Sequence, residues 1–133
     1  MSSMTQETSY GSVGNAPVNF DILHEMKDDL KQVGALPLYR KTIRIYLESS
    51  PAYLEALRTA VHEHDTEEML RVAHTFKSSN STLGAEVLAG LCREVENMAR
   101  QDSTNHVKLM MNRIEDEYAR VEQILSLELQ SGH

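Results

Sequence analysis

The sequence has few of the residues on which several protein classes depend. It contains one cysteine, Cys92, no tryptophan, six glycines and three prolines among 133 residues. A single cysteine cannot build a disulfide framework, so its use is typical of a reducing compartment. Small β-sandwiches and barrels usually carry more turn residues than this. An all-β fold is therefore not expected.

Long apolar runs and an excess of positive charge are also missing. No apolar stretch approaches the roughly 18 residues that a membrane-spanning helix needs, and the polar start MSSMTQETS lacks a signal peptide's apolar core. Acidic residues outnumber basic ones 20 to 13, which gives a formal net charge of −7. Proteins that wrap a phosphate backbone have the opposite sign, so nucleic-acid binding is disfavoured. We expect a cytoplasmic protein that does not insert into membranes.

Helical periodicity dominates the rest of the chain. Residues 1–17 are rich in Ser, Thr and Gly and lack this spacing, so they predict a disordered tail or linker. Residues 18–130 are predicted to form one domain, because apolar residues recur there at steps of three or four in five segments. A kink or a break is expected at Pro51, and the last segment is expected to begin near the capping residue Ser103.

The connections between the last four segments are short, so neighbouring helices should be antiparallel. The pattern predicts an all-α fold, an antiparallel up-down four-helix bundle with a short N-terminal capping helix. The sequence contains no P-loop, and the chain has no room for the ATP-binding domain of a histidine kinase. His62 and His64 lie two apart, on opposite sides of a helix, so no metal site is expected.

One histidine of the third segment faces away from the predicted core. At about 100° per residue, Met69, Val72, Phe76 and Leu83 form one apolar stripe, and His74 lies on the opposite face.

Two cations, an apolar residue and two serines share this face with the histidine: Arg71, Lys77, Leu70, Ser78 and Ser81. The small side chains leave room above the ring, and the cations favour an anion attached to it. On spacing alone, an ordinary surface histidine remains an open interpretation.

The stretch that begins at this histidine resembles the signature of the histidine-containing phosphotransfer (HPt) family. After His74 comes Thr75, at a position where the family accepts any residue, and then the apolar Phe76 and Lys77. Small residues follow, and Gly84 lies ten places after the histidine. The likeness continues through the next segment, at Leu88, Leu91, Cys92 and Glu96. Ser78 departs from the pattern, because many members have glycine at that position.

The resemblance implies that the chain is a phosphorelay intermediate and not an enzyme with kinase activity of its own. A receiver-domain aspartate would pass its phosphoryl group to Nε2 of His74, which would pass it to, or take it back from, another response regulator. Neutral imidazole suits this role, since its unperturbed pKa is about 6.5. A bundle that binds a receiver domain without accepting phosphate is the alternative.

The resemblance also implies roles for the neighbours of His74. Lys77 would stabilise the phosphoryl group, with Arg71 a weaker candidate, and Ser78 and Ser81 would surround that group. The residues expected to contact the partner are Leu70, Glu67, Arg71 and Lys77. Gly84 would form a structural turn.

The partners implied are receiver domains of response regulators, or a hybrid sensor histidine kinase. No cofactor is expected on this chain, because the receiver would hold the Mg²⁺. The chain is expected to be a monomer.

Overall fold

The computed structural model describes residues 16–103 and 105–131, and those residues form helices and turns without a strand. Residues 1–15, most of the predicted tail, lie outside the described part. The helices are α1 (Phe20–Gln32), α2 (Pro37–His62), α3 (Thr66–Thr82), α4 (Glu86–Arg100) and α5 (Val107–Gln130). The all-α prediction is confirmed. No helix of the described residues is long and apolar enough to cross a membrane.

The four long helices pack in a cycle. Helix α2 contacts α3 and α5, and α4 contacts the same two helices, while α1 contacts α2. Near the start of α2 the hydroxyl of Tyr39 donates to Glu128 (2.6 Å), and near its end Arg58 donates to Glu115 (2.7 Å). Because the α5 residue number falls as the α2 number rises, these two helices run in opposite directions.

Phe76 of α3 lies at the centre of one apolar core to which all five helices contribute. Three tyrosine rings surround its fully buried ring at centroid distances of 5.6 to 6.4 Å, namely Tyr46, Tyr53 and Tyr118. The rest of the predicted α3 stripe is buried as well, at Met69, Val72 and Leu83. This burial fixes how α3 is rotated about its axis, and so decides which residues it presents outward.

Four of the helices end in the same hydrogen-bonded turn. In each, the residue after the cap has positive φ, and the next amide donates back to a carbonyl in the last helical turn. Gly34 and Gly84 occupy the positive-φ position after α1 and α3, and His64 and Asp102 occupy it after α2 and α4.

Ser103 and Pro51 both bear on the bounds of the helices. The amide of Ser103 donates to the carbonyl of Met98 (2.9 Å), so Ser103 closes α4 and does not cap α5, which begins at Val107. The predicted start of the last helix is therefore wrong by about one turn. At Pro51 the helix is not broken, because α2 is continuous from Pro37 to His62.

The turn after α3 connects the bundle to the start of α1. The carbonyl of Gly84 accepts a hydrogen bond from the amide of Asn19 (2.8 Å), and the Asn19 side chain accepts from the amide of Asp21 (3.0 Å), which caps α1. A Cβ on Gly84 would lie 2.7 Å from the carbonyl oxygen of Asn19. Glycine is therefore required both for its φ of +79° and for this close approach.

Candidate functional site

His74 lies in the middle of α3 on the face opposite the core, as the periodicity predicts. Its side chain is 63% exposed, whereas its neighbour Ala73 is fully buried. The helix starts at a defined point, since the Asp65 side chain caps it by accepting from the amide of Glu68 (3.1 Å). A capped start and a buried stripe together hold one imidazole outward on a rigid helix.

The imidazole is anchored by a carboxylate that is completely buried. Nδ1 of His74 lies 2.9 Å from Oε2 of Glu96 on α4, and the Glu96 side chain is 0% exposed. An ionised carboxylate can only accept, so Nδ1 carries the proton of the neutral ring. The lone pair is then on Nε2, on the side of the ring away from Glu96. The contact thus fixes both the orientation and the tautomer of His74.

Cations surround the same carboxylate. Nζ of Lys77 lies 2.5 Å from Oε1 of Glu96, and Nη2 of Arg100 lies 3.6 Å from Oε2. Burial alone would raise the pKa of Glu96, but the contacts with Lys77 and His74 outweigh it and the pKa is lowered. Glu96 is therefore ionised at neutral pH. His74 and Arg100 thus approach the same oxygen of this carboxylate.

Arg71 points to a different partner. Its guanidinium binds Glu68 through two hydrogen bonds, of 2.9 and 2.6 Å, on its own helix. This pairing lowers the pKa of Glu68 and raises that of Arg71. Of the two cations that the sequence places beside His74, Lys77 is therefore joined to it through Glu96, and Arg71 is bound to a carboxylate one turn away.

The remaining predicted residues occupy the rim of the site. The hydroxyl of Ser78 donates to the backbone carbonyl of His74 (3.3 Å), so it turns toward the helix and away from the ring. Ser81 and Glu67 are exposed, and Leu70 is half-buried against the core. Leu70 is thus less solvated than its position on the helical wheel predicts.

The sequence pattern predicted no role for Glu96 or Arg100, although Glu96 is one of the residues that resemble the HPt family. A signal was present, because Glu96 falls on the apolar stripe of α4, four residues after Cys92. A charge at such a position predicts a buried ion pair.

No role was predicted from the sequence for Asn80 either. It is fully buried, accepts a hydrogen bond from the hydroxyl of Tyr46 (2.6 Å) and lies 3.7 Å from Sγ of Cys92. Asn80 therefore ties α3 to both of its neighbours.

Groups able to bind a metal are not found in the described part of the chain. No three His, Cys, Asp or Glu side chains of residues 16–103 and 105–131 come together in a way that could hold an ion. The arrangement at His74 instead offers an exposed nitrogen nucleophile with nearby positive charge.

Comparisons with known proteins are consistent with this chemistry. The family model described as Hpt domain matches residues 41–124, which is more than half of the chain. No curated protein matches significantly.

Two solved structures share the fold. Histidine-containing phosphotransfer protein B (HptB) from Pseudomonas aeruginosa PAO1 is 24% identical with a TM-score of 0.80, and the match covers 87% of this chain and 96% of that one. The HPT domain of the Hpt sensor hybrid histidine kinase from Shewanella is 21% identical with a TM-score of 0.70, over 86% and 95% of the two chains.

Proposed function

Since this chain belongs to the Hpt domain family and is a phosphorelay intermediate, we propose that His74 carries the phosphoryl group. The observation that supports this most directly is the contact between Nδ1 of His74 and the buried Glu96, at 2.9 Å. It leaves Nε2 as the unprotonated, exposed nitrogen, and a neutral imidazole nitrogen with a free lone pair is a good nucleophile near pH 7.

In the proposed reaction, Nε2 attacks the phosphorus of a receiver domain's aspartyl phosphate in line. The N–P bond forms as the P–O bond to the aspartate breaks, and the electron pair of that bond leaves with the carboxylate. The proton on Nδ1 stays in its hydrogen bond to Glu96, which stabilises the positive charge that develops on the ring. Attack by the aspartate of a second receiver on the same phosphorus reverses these steps, so the group can move either way.

Positive charge near the ring would stabilise the transferring phosphoryl group. The ammonium of Lys77 is close enough to Glu96 to be fixed in place, and a fixed cation needs little rearrangement when charge develops. Arg71 has the weaker role because Glu68, which binds it in two places, is not the carboxylate that contacts His74. Ser78 and Ser81 are short side chains and leave room beside the ring.

The chain therefore acts as a phosphocarrier, and we propose that it has no kinase activity of its own. Phosphoryl transfer needs positioning and charge neutralisation more than covalent help. The receiver domain, alone or in a hybrid kinase, would supply the Mg²⁺ and most of this machinery, and no cofactor is needed here.

The cellular and structural setting follows the same proposal. We infer an up-down four-helix bundle of α2 to α5 with α1 as its cap, in a cytoplasmic monomer. Residues 18–130 would be the phosphotransfer domain, with residues 1–17 a tail or linker.

Transfer from a phosphorylated receiver domain in the presence of Mg²⁺ tests the function directly. We expect the wild type to take up label that is lost in acid and kept in base, as for a phosphohistidine, and His74→Gln to take up none. His74→Gln should keep its helical circular dichroism, because the side chain is exposed. If several receivers that label a known phosphotransfer protein leave the wild type unlabelled, the chain only binds receivers.

A further inference from the structure

The outer face of α5 carries two leucines that the core does not cover. Leu109 and Leu127 are 60% and 58% exposed, whereas Ile114 and Leu125 of the same helix are fully buried. The two exposed leucines are 18 residues apart, which is five complete helical turns, so they point in the same direction about 27 Å from each other. They mark the two ends of one stripe along the outside of the bundle.

Opposite charges occupy the middle of this stripe. Asp116 comes seven residues after Leu109 and Arg120 seven before Leu127, so both lie within about 20° of the line that joins the leucines. Both are exposed. Arg120 donates to Glu117 of its own helix (3.0 Å), while Asp116 has no ion-pair partner among the residues that the structure describes. The outer stripe of α5 is therefore Leu109, Asp116, Arg120 and Leu127, and it has no net charge.

The outer stripe is complementary to a second copy of itself that runs in the opposite direction. Leu109 and Leu127 are equally far from Tyr118 along the chain, and so are Asp116 and Arg120. When two α5 helices lie antiparallel and cross at this midpoint, Leu109 of each copy is therefore level with Leu127 of the other. Asp116 of each copy is level with Arg120 of the other in the same arrangement. A two-fold axis makes each contact occur twice.

Charge and area determine how strong such a pairing can be. Each chain has a formal net charge of −7, which opposes the approach of two copies except at a face whose charges balance. Covering the exposed leucines favours association. The 24 residues of α5 form a strip about 36 Å long and about 10 Å wide, which is in the size range of transient interfaces. The dimer is therefore weak and exists in equilibrium with the monomer.

We infer that the outer stripe of α5 is a self-association surface, on which a second copy of this chain packs antiparallel to form a reversible dimer. In the cycle of long helices, α5 contacts α2 and α4 and is diagonal to α3. Pairing through α5 therefore leaves His74 exposed on both copies. The inference does not depend on the proposed function, but it would give the phosphocarrier two acceptor histidines in one particle.

Sedimentation equilibrium over a range of protein concentrations tests the dimer. The weight-average mass of the wild type should rise from that of the monomer toward twice that value between about 10 μM and 1 mM. Leu109→Glu should raise the Kd of the dimer about tenfold or more, because the two-fold axis makes one substitution remove two leucine contacts. A glutamate in the first turn of α5 suits the helix dipole, so the substitution should not fray the helix.

Ile45→Glu is the matched control for this variant. It adds the same charge at an apolar side chain that is 50% exposed, but Ile45 lines a groove with Ser79 and Leu83 of α3, away from α5. Its Kd should stay within about twofold of the wild-type value. A wild type that stays monomeric at every concentration overturns the inference and leaves the stripe to a different protein. An unchanged Kd in Leu109→Glu also overturns it, because the dimer would then use another face.

Disulfide crosslinking tests the antiparallel register. When Leu109→Cys and Leu127→Cys are mixed and mildly oxidised, they should crosslink mainly to each other. Each variant alone should crosslink little, because like positions of the two copies are about 27 Å apart in this register. The native Cys92 is fully buried and does not compete. Crosslinks that form as readily within one variant as between the two would overturn the antiparallel pairing.

Label uptake from a phosphorylated receiver separates this surface from the phosphoryl transfer. Leu109→Glu should take up label at the wild-type rate, because α5 is diagonal to α3. A much slower rate would place the receiver on the stripe and overturn its assignment to a second copy. A wild type that forms the dimer but takes up no label would refute the proposed function and leave the dimer intact. If Leu109→Glu loses helical circular dichroism, Leu127→Glu repeats both measurements from the other side of the same contact.

Discussion

Nδ1 of the exposed His74 lies 2.9 Å from a carboxylate oxygen of Glu96, a residue with no exposed side-chain surface. The two residues are 22 positions apart and lie on neighbouring helices. Glu96 touches no solvent and would touch no phosphoryl group, yet it determines which nitrogen of the ring is free to react. In the proposed transfer it is therefore a positioning residue, and His74 is the residue that would react.

Neutralising this carboxylate should slow phosphorylation without abolishing it. In Glu96→Gln, the amide oxygen still accepts from Nδ1, but the hydrogen bond no longer involves a charge. The difference between charged and neutral hydrogen bonds is about 1 kcal/mol, so the rate of label uptake from a receiver should fall about fivefold to tenfold.

Glu94→Gln is the control for this variant, since Glu94 is exposed on the same helix. Its rate should equal that of the wild type. Equal rates for Glu96→Gln and the wild type would remove Glu96 from the mechanism.

The same carboxylate should make the stability of the fold depend on pH in the acid range. Lys77 and His74 lower the pKa of Glu96 against the effect of its burial, so its folded-state pKa lies below the unfolded value of about 4.3. A group with a lowered pKa stabilises the fold above the unfolded value, and this contribution is lost as the pH falls through the folded value. The Tm of the wild type should exceed that of Glu96→Gln near neutral pH, and the gap should shrink below about pH 4.3. A gap that stays constant in acid would contradict the ion pair.

The exposure of His74 could be predicted because it depends on one helix. The apolar stripe of α3 fixes the rotation of the helix, and a residue opposite the stripe must face solvent whatever the rest of the chain does. The contact with Glu96 depends on how α3 and α4 are aligned along their axes, which no periodicity within one helix determines.

Local patterns also fail where one residue type serves two purposes. A serine before an apolar-periodic segment is a common helix start, yet Ser103 donates its amide to Met98 and completes the turn that ends α4. Arg71 falls on the same face as His74, but its guanidinium has a choice of partners. Glu68, three residues earlier, is close enough to bind it through two hydrogen bonds.

The two cations on either side of His74 should differ in their importance. Lys77→Met keeps most of the apolar stem but removes the ammonium held by Glu96, the carboxylate that also contacts His74. The transfer rate should therefore fall about tenfold to a hundredfold, as for the loss of a positioned donor. Arg71→Met removes a cation that Glu68 already binds at the surface, and its rate should change by less than about threefold. Quenched-flow labelling of both variants gives the comparison. A larger effect at Arg71 would reverse the assignment of the phosphoryl-stabilising cation.

Two glycine-to-alanine substitutions should change stability in opposite directions. Gly84 has a φ of +79°, and an added Cβ would lie 2.7 Å from the carbonyl oxygen of Asn19, so Gly84→Ala combines backbone strain with a clash at the start of α1. We expect a loss of about 1–3 kcal/mol in the free energy of unfolding. Gly90 is inside α4, and a Cβ there would meet no atom within 4 Å, so Gly90→Ala should gain about 0.5–1 kcal/mol from better helix propensity. Urea unfolding followed by circular dichroism measures both. If both variants lose stability equally, the destabilisation at Gly84 cannot be attributed to its positive φ and its contact with Asn19.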